Sequence, residues 1–375
     1  MTVGVYLHIP FCKSRCSYWD FATDVYRSGE AVERYVDALR AEISAWRPPE
    51  GGTQNIDTVY FGGGTPSLLS GEQVGEILAA VREKFSVDAG SEITMEMNPA
   101  TVSPETLAAY REHGVNRASF GVQTFDDTEL KRLARGHNAQ DARDTFRMLR
   151  DAGFENISFD LIAGLPRQTL DEWERNLDEA LAMGPEHLSL YLLEIHESTP
   201  LAEQIRSERQ PLPDEELAAE MYEMMLAKVA AAGYHQYEIS NFAKPGFESR
   251  HNSKYWTLDP VYGLGVSAHS FDGRERYANV RDTAAYVDRM ENFATAEVMR
   301  EAIDAASEFI FLGLRLSEGI GLGAFETRFG FDLRGKYRDE LADLVDAGLI
   351  EITGGRLKLT QKGMLFSNEV FSVFV

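Results

Sequence analysis

The sequence has 375 residues, 44% of them hydrophobic and 26% charged, enough for one large and one small domain to bury cores of their own and with no sign of disorder. Its formal charge of −23 and pI near 4.8 exclude an electrostatic nucleic-acid binder, because neutralising phosphates takes clustered Lys and Arg. Strand character begins at Val3, leaving no room ahead of it for the basic and apolar regions of a signal peptide. No apolar stretch approaches the roughly 18 residues of a spanning helix, so the cytoplasm is the expected location.

Taken in order, strands are expected at 3–9, 58–61, 92–97, 117–122, 157–162 and 187–193, with helices at 31–46, 71–85, 104–113, 139–153, 169–183 and 214–232. In the first helix Val32, Tyr35, Val36, Leu39, Ile43 and Trp46 follow the i, i+3, i+4, i+7 stripe of an amphipathic helix. Ser103-Pro104 reads as an N-cap with Pro at the first turn, while Gly153 and Gly233 read as stops. Six strand–helix units in alternation imply a parallel sheet with outer helices, either doubly wound or a full or partial barrel. Beyond residue 232 the segments 234–242, 249–256 and 262–270 read as strands and loops that extend the sheet. From about residue 298 helices return, followed by a helix at 336–347, a hairpin of 349–352 and 356–360 across Gly354-Gly355, and a last helix at 361–371. That pattern is winged-helix-like, but its recognition helix at 338–346 is acidic, against a role on DNA.

Polar residues with chemistry to offer gather at the C-terminal ends of the strands, where parallel α/β folds place their sites. The first strand runs into Cys12 and Cys16, the two cysteines of the chain, and the second into Gly62-Gly63-Gly64-Thr65-Pro66. The third carries Glu96 and Asn98, the fourth reaches Gly121 and Gln123, the fifth holds Asp160, and the sixth leads to Glu194 and His196. The glycine triplet does not complete a dinucleotide fingerprint. It reads either as backbone that approaches a ligand closely or as a tight strand–helix turn. Glu96, Gln123 and Asp160 offer acceptors for an amino group and ribose hydroxyls, and Arg135 a donor for a carboxylate, a set that suits a zwitterionic nucleoside. Each alone also reads as a solvated charge or strand-end cap.

Cys12 and Cys16 read as a redox pair, as two metal ligands or as unremarkable thiols. Thiolates suit zinc or an iron–sulfur cluster, but three or four ligands are usual. His8 is near enough to be weighed as a third ligand, although its place within a strand favours a strand-facing side chain. His251, in Arg250-His251-Asn252-Ser253-Lys254-Tyr255-Trp256, reads either as an axial haem ligand among basic and aromatic neighbours or as a hydrogen-bonded structural histidine.

These blocks together resemble the radical S-adenosylmethionine (SAM) superfamily, and within it the HemW-type haem chaperones of the oxygen-independent coproporphyrinogen III oxidase-like family. The likeness rests on residues 6–12, 62–66, 96–99, 119–125, 160–166, 237–242, 251–256 and 365–371. It implies a partial (β/α)6 barrel with an extended sheet over residues 1–290, its core in about 1–235, and a small helical, winged-helix-like domain of HemN type at 291–375. By resemblance SAM binds at Tyr6, Gly63, Gly64, Thr65, Glu96, Gln123, Arg135 and Asp160, and a [4Fe–4S] cluster is held by Cys12 and Cys16. The family's His-Asn-x-x-Tyr-Trp signature, linked to haem, falls on His251, Asn252, Tyr255 and Trp256.

The implied function is a cytoplasmic haem chaperone that hands haem to an acceptor protein, with a membrane-associated acceptor and a homodimer left open. The alternative is a radical SAM oxidoreductase acting on a porphyrinogen. The oxidase type carries an N-terminal extension and a further cysteine where this chain has Phe21, which favours the chaperone. One departure stands out. The superfamily pattern C-x3-C-x2-C places its third thiolate at the position of Trp19, and indole offers only an N–H donor. A natural loss of cluster chemistry, a single-base Cys-to-Trp codon change, or a substitute ligand such as Asp20 would each account for it. Reductive cleavage of SAM is expected to fail.

Overall fold

A computed structural model describes residues 2–13, 16–18, 23–25, 28–48 and 53–375; Trp19 and Asp20 lie outside them. The six expected strands form as β1 Val3–Ile9, β2 Asn55–Gly63, β3 Ser86–Met97, β4 Arg117–Gln123, β5 Asn156–Ala163 and β6 His187–Leu192. Each is parallel to the next. Because consecutive strands are neighbours throughout and the winding never reverses, the connecting helices all lie on one side, the arrangement of a barrel rather than of a doubly wound sheet.

Alternation along β1 shows how the two faces divide. Val3, Val5, Leu7 and Ile9 are buried with Val32, Tyr35, Val36, Leu39 and Ile43 of the helix Gly29–Ala45, while Gly4, Tyr6 and His8 face the inside. The inner face is polar, carrying Thr58, Tyr60, Glu96, Arg117, Asp160 and His187 toward one another.

The sheet continues through β7 His235–Glu238, β8 Asn241–Ala243, β9 Val261–Leu264, β10 His269–Phe271, β11 Glu275–Asn279 and β12 Glu297–Ala302. Its spatial order is β12-β11-β10-β9-β1-β2-β3-β4-β5-β6-β8-β7. It does not close, and β9 lies parallel to β1 on the side opposite β2. A second core gathers Ile310, Leu314, Phe325, Leu341, Leu357 and Phe374 around the helix Arg338–Asp346 and the hairpin Ile350–Thr353 and Arg356–Leu359, to which Ile320–Gly321 adds a short third strand. Among the described residues no helix is long and apolar enough to cross a membrane.

Two expectations on local structure are corrected. Segment 249–256 is not strand or loop: Arg250–Trp256 is a helix, started by the Ser249 side chain accepting from the Asn252 N–H. The expected last helix at 361–371 is two, Gln361–Leu365 and Ser367–Phe371, parted at Phe366.

Candidate functional site

The chain that leaves β1 is held by the chain that leaves β2. Gly64 N–H donates to the Ile9 carbonyl and Thr65 N–H to that of Phe11, both at 2.8 Å. A Cβ on Gly64 would stand 2.7 Å from the Pro10 oxygen and 2.8 Å from the Phe11 oxygen, and one on Gly63, at φ +111°, would fall 2.7 Å from the His8 ring. The Gly63 N–H donates to Glu96 at 3.1 Å. The N–H groups of Gly63, Gly64 and Thr65 are thus used within the chain, and the missing side chains let two loops touch.

The two thiols are joined by a path of side-chain hydrogen bonds. Thr65 Oγ1 donates to Cys12 Sγ at 3.5 Å and accepts from Asn98 Nδ2 at 2.8 Å. Asn98 Oδ1 accepts from Arg135 Nη2, and Arg135 Nη1 donates to Cys16 Sγ at 3.4 Å. Arg135 also donates to the Gly121 carbonyl at 2.7 Å. Burial pushes the Cys12 thiol above its ordinary range, opposed by the Thr65 hydroxyl.

Strand β4 breaks register against β5 between Phe120 and Gln123, a bulge that re-aims its last residues. Gln123 takes a left-handed φ of 69° there. Glu96 accepts from the Tyr60 hydroxyl at 2.8 Å. Burial lifts its carboxyl to about 7, with the Tyr60 bond pulling the other way. Burial likewise lifts Asp160 to about 6, against the Ser189 hydroxyl, Arg117 and Arg135.

These groups open onto one cleft of about 570 Å³, lined by Cys12, Cys16, Gly63, Gly64, Thr65, Glu96, Asn98, Gln123, Arg135 and Asp160 among others. Seven of the eight expected nucleoside-binding residues are in it. Tyr6 is not: it stacks on Tyr60 with centroids 6.1 Å apart and its hydroxyl faces His8 Nδ1 at 3.1 Å. Glu194 and His196 are exposed and outside the lining.

The His251 segment stands at the other end of the barrel, where β1, β2 and β3 begin. Arg250 and His251 donate their backbone N–H groups to Glu92, and Arg250 and Lys254 pair with Asp57. The His251 ring, 1% exposed, reaches into the barrel. Nδ1 lies 2.9 Å from Thr58 Oγ1, Nε2 lies 3.2 Å from the Tyr255 hydroxyl, and the ring stacks on Tyr60 at 5.0 Å. Burial, helped by Lys254, drops its pKa to about 3, which keeps the imidazole neutral. Asn252 lies in the capped first turn, and Trp256 lies under the Arg315 guanidinium at 4.4 Å, beside the second core.

The donor set fits a zwitterionic nucleoside, with two carboxylates, Gln123 and Arg135 around one cleft. It does not fit a three-thiolate cluster. The sequence holds two cysteines, and among the described residues no group of three His, Cys, Asp or Glu side chains is placed to hold a metal ion. His8, weighed as a third ligand, is buried against Gly63 and Tyr6.

Comparison with known proteins agrees with this layout. The family model described as Radical SAM superfamily matches residues 6–180, and that of the HemN C-terminal domain matches residues 301–366. The chain is 39% identical to the heme chaperone HemW of Bacillus subtilis, covering 99% of both chains. It is 33% identical to that of Escherichia coli, covering 100% of this chain and 98% of the other. Among solved structures, coproporphyrinogen III oxidase (HemN) from Escherichia coli superposes with a TM-score of 0.87 at 24% identity, over 100% of this chain and 90% of that one, a likeness of fold.

Proposed function

The chain belongs to the HemW heme-chaperone family, and on that premise we propose that it binds haem and passes it to an acceptor protein. The observation that carries this reading is the end-to-end likeness to chaperones of that name, across both the barrel and the winged module. The cleft is assigned to SAM, with Gly63, Gly64, Thr65, Glu96, Gln123, Arg135 and Asp160 around it and Tyr6 supporting from beneath. A cluster bound at Cys12 and Cys16 would supply the electron for SAM cleavage in this superfamily, but two thiolates do not make its protein ligand set. The role proposed for SAM here is therefore binding without cleavage. The acceptor is free to be soluble or membrane-associated, and the work is assigned to the cytoplasm.

Haem ligation is assigned to His251, with Asn252, Tyr255 and Trp256 as its neighbours. A neutral imidazole is the form that ligates iron. To reach haem, the helix Arg250–Trp256 has to draw that ring out of the barrel, giving up its contacts with Thr58 and Tyr255. Haem uptake is thereby coupled to opening of this end.

Titration with haem, followed by absorbance, tests the assignment by comparing wild type with His251→Ala. The expected result is a changed Soret band and at least tenfold weaker binding in the variant. An unchanged spectrum and affinity would remove His251 from the site. Lack of stoichiometric haem binding by wild type would remove the chaperone reading itself.

A further inference from the structure

Below the cleft floor lies a cation that none of the foregoing uses. Arg117 opens β4, 1% exposed, with its side chain inside the barrel. Among the described residues, no group accepts from its Nε or Nη1. Directly opposite in the ladder stand Thr94 on β3 and Asn156 on β5; Thr94 Oγ1 and Asn156 Oδ1 also lack partners. A buried guanidinium with free donors is costly unless opposite charge repays it.

The charges it faces are those of the cleft. Its field reaches Glu96 from β3 and Asp160 from β5. It also reaches Tyr60 on β2, His187 on β6, Tyr237 on β7 and His251 below. Of these, the tyrosines and histidines are neutral near pH 7: burial raises the phenols and lowers the imidazoles. Of the groups named, two are carboxylates; a third buried one, Glu92 on the same strand as Glu96, is engaged by the backbone N–H groups of Arg250 and His251. Glu96 and Asp160 also repel each other, and Arg135, the other guanidinium near Asp160, is engaged by Asn98, Gly121 and Cys16.

We propose that Arg117 is a positioning residue for the SAM cleft: from beneath its floor it supplies the counter-charge that lets Glu96 and Asp160 stand together as carboxylates facing a cationic ligand. It touches no ligand itself. The inference rests on the assignment of the cleft to SAM, and it adds the group that sets the charge of that site. Burial alone would keep both carboxyls protonated near neutral pH, where each could still donate a hydrogen bond but could not balance a positive ligand.

The test is SAM affinity by calorimetric titration from pH 6 to 9, for wild type, Arg117→Lys and Arg117→Met. Wild type is expected to bind more tightly as pH rises through about 7, where Glu96 loses its proton. In Arg117→Met that rise moves upward by about one pH unit, a loss of about fivefold at pH 7 that is largely recovered by pH 9. Arg117→Lys, which keeps the charge, retains the wild-type midpoint. A loss equal at every pH, or no loss, would overturn the proposal and assign Arg117 to packing.

If Arg117→Met does not fold, Arg117→Gln, which keeps a polar side chain but not the charge, decides: an upward-shifted pH profile supports the proposal, and a wild-type profile overturns it. Failure of wild type to bind SAM at any pH refutes the cleft assignment and the inference with it. Binding by wild type with an unshifted Arg117→Met profile refutes the inference alone.

Discussion

Asn98 has neither charge nor ligand chemistry, yet it connects the two cysteines through Thr65 on one side and Arg135 on the other. Replacing it by Ala frees Arg135 from one of its anchors and Thr65 from its donor. The expected result is roughly tenfold weaker SAM binding, the scale of one or two lost hydrogen bonds, measured by titration at pH 8, where Glu96 is ionised. Unchanged affinity would show that Arg135 is held well enough by Gly121. Glu96, Gln123, Arg135 and Asp160 drew notice in the sequence only as a set, since each alone reads equally as a solvated charge or cap, and the structure brings all four to one cleft. Arg117 drew none. A charged residue at the start of a strand reads as solvated, and only the curvature that brings β2 through β6 around a common interior buries it.

The elements that carry the site were legible wherever they were long. The helix Gly29–Ala45 announces itself through several turns of apolar stripe. Arg250–Trp256 does not, because seven residues make fewer than two turns, too few for a 3.6-residue period to show against tyrosine and tryptophan, which equally suit strands. Its signal was the cap at Ser249, which is fully buried. Ser249→Ala should cost about 1 kcal/mol by denaturant unfolding.

The glycine loop carries a sharper expectation. Gly64→Ala sets a methyl against two backbone carbonyls that have nowhere to go. It should destabilise by about 1–3 kcal/mol and loosen the cysteine loop, readable as faster alkylation of Cys12. Alkylation at the wild-type rate would mean the two loops part without consequence.

At the scale of the whole molecule, one buried carboxylate ties the sheet extension to the barrel. Glu42 accepts from Gly265 N–H at 2.7 Å, the Tyr286 hydroxyl at 2.6 Å and Asn279 Nδ2 at 2.6 Å. It thereby joins the helix Gly29–Ala45 to the end of β9, to β11 and to the helix Thr283–Phe293. Burial lifts it to about 7 from an ordinary 4.5. The folded chain thus holds this proton to higher pH than the unfolded chain does, and stability falls as pH rises across that window. The fall is on the order of 3 kcal/mol for this group. Glu42→Gln cannot release a proton, so the stability difference between it and wild type should change by that amount between pH 4.5 and 8. A pH-independent difference would show that the three donors fully offset burial.

The cluster question also belongs here, because it sets cysteine count against an otherwise complete cleft. Trp19→Cys is expected to raise iron and acid-labile sulfide after anaerobic reconstitution. Equal loading in both chains would mean that another ligand completes the site.

The parallel pairing of β1 with both β2 and β9 has a consequence for how the chain is made. Gly4 meets Thr58 on one side and Val261 on the other, so β1 sits within the sheet and waits for a partner that is made long after it. At about 5–20 residues per second, that edge stays open for roughly ten seconds or more. An apolar strand with unpaired backbone invites other chains. The slow step in folding this protein is therefore expected to be the docking of β9 onto β1, long after the half-barrel beside it has formed, and fragments that stop before residue 260 should aggregate where the full chain does not.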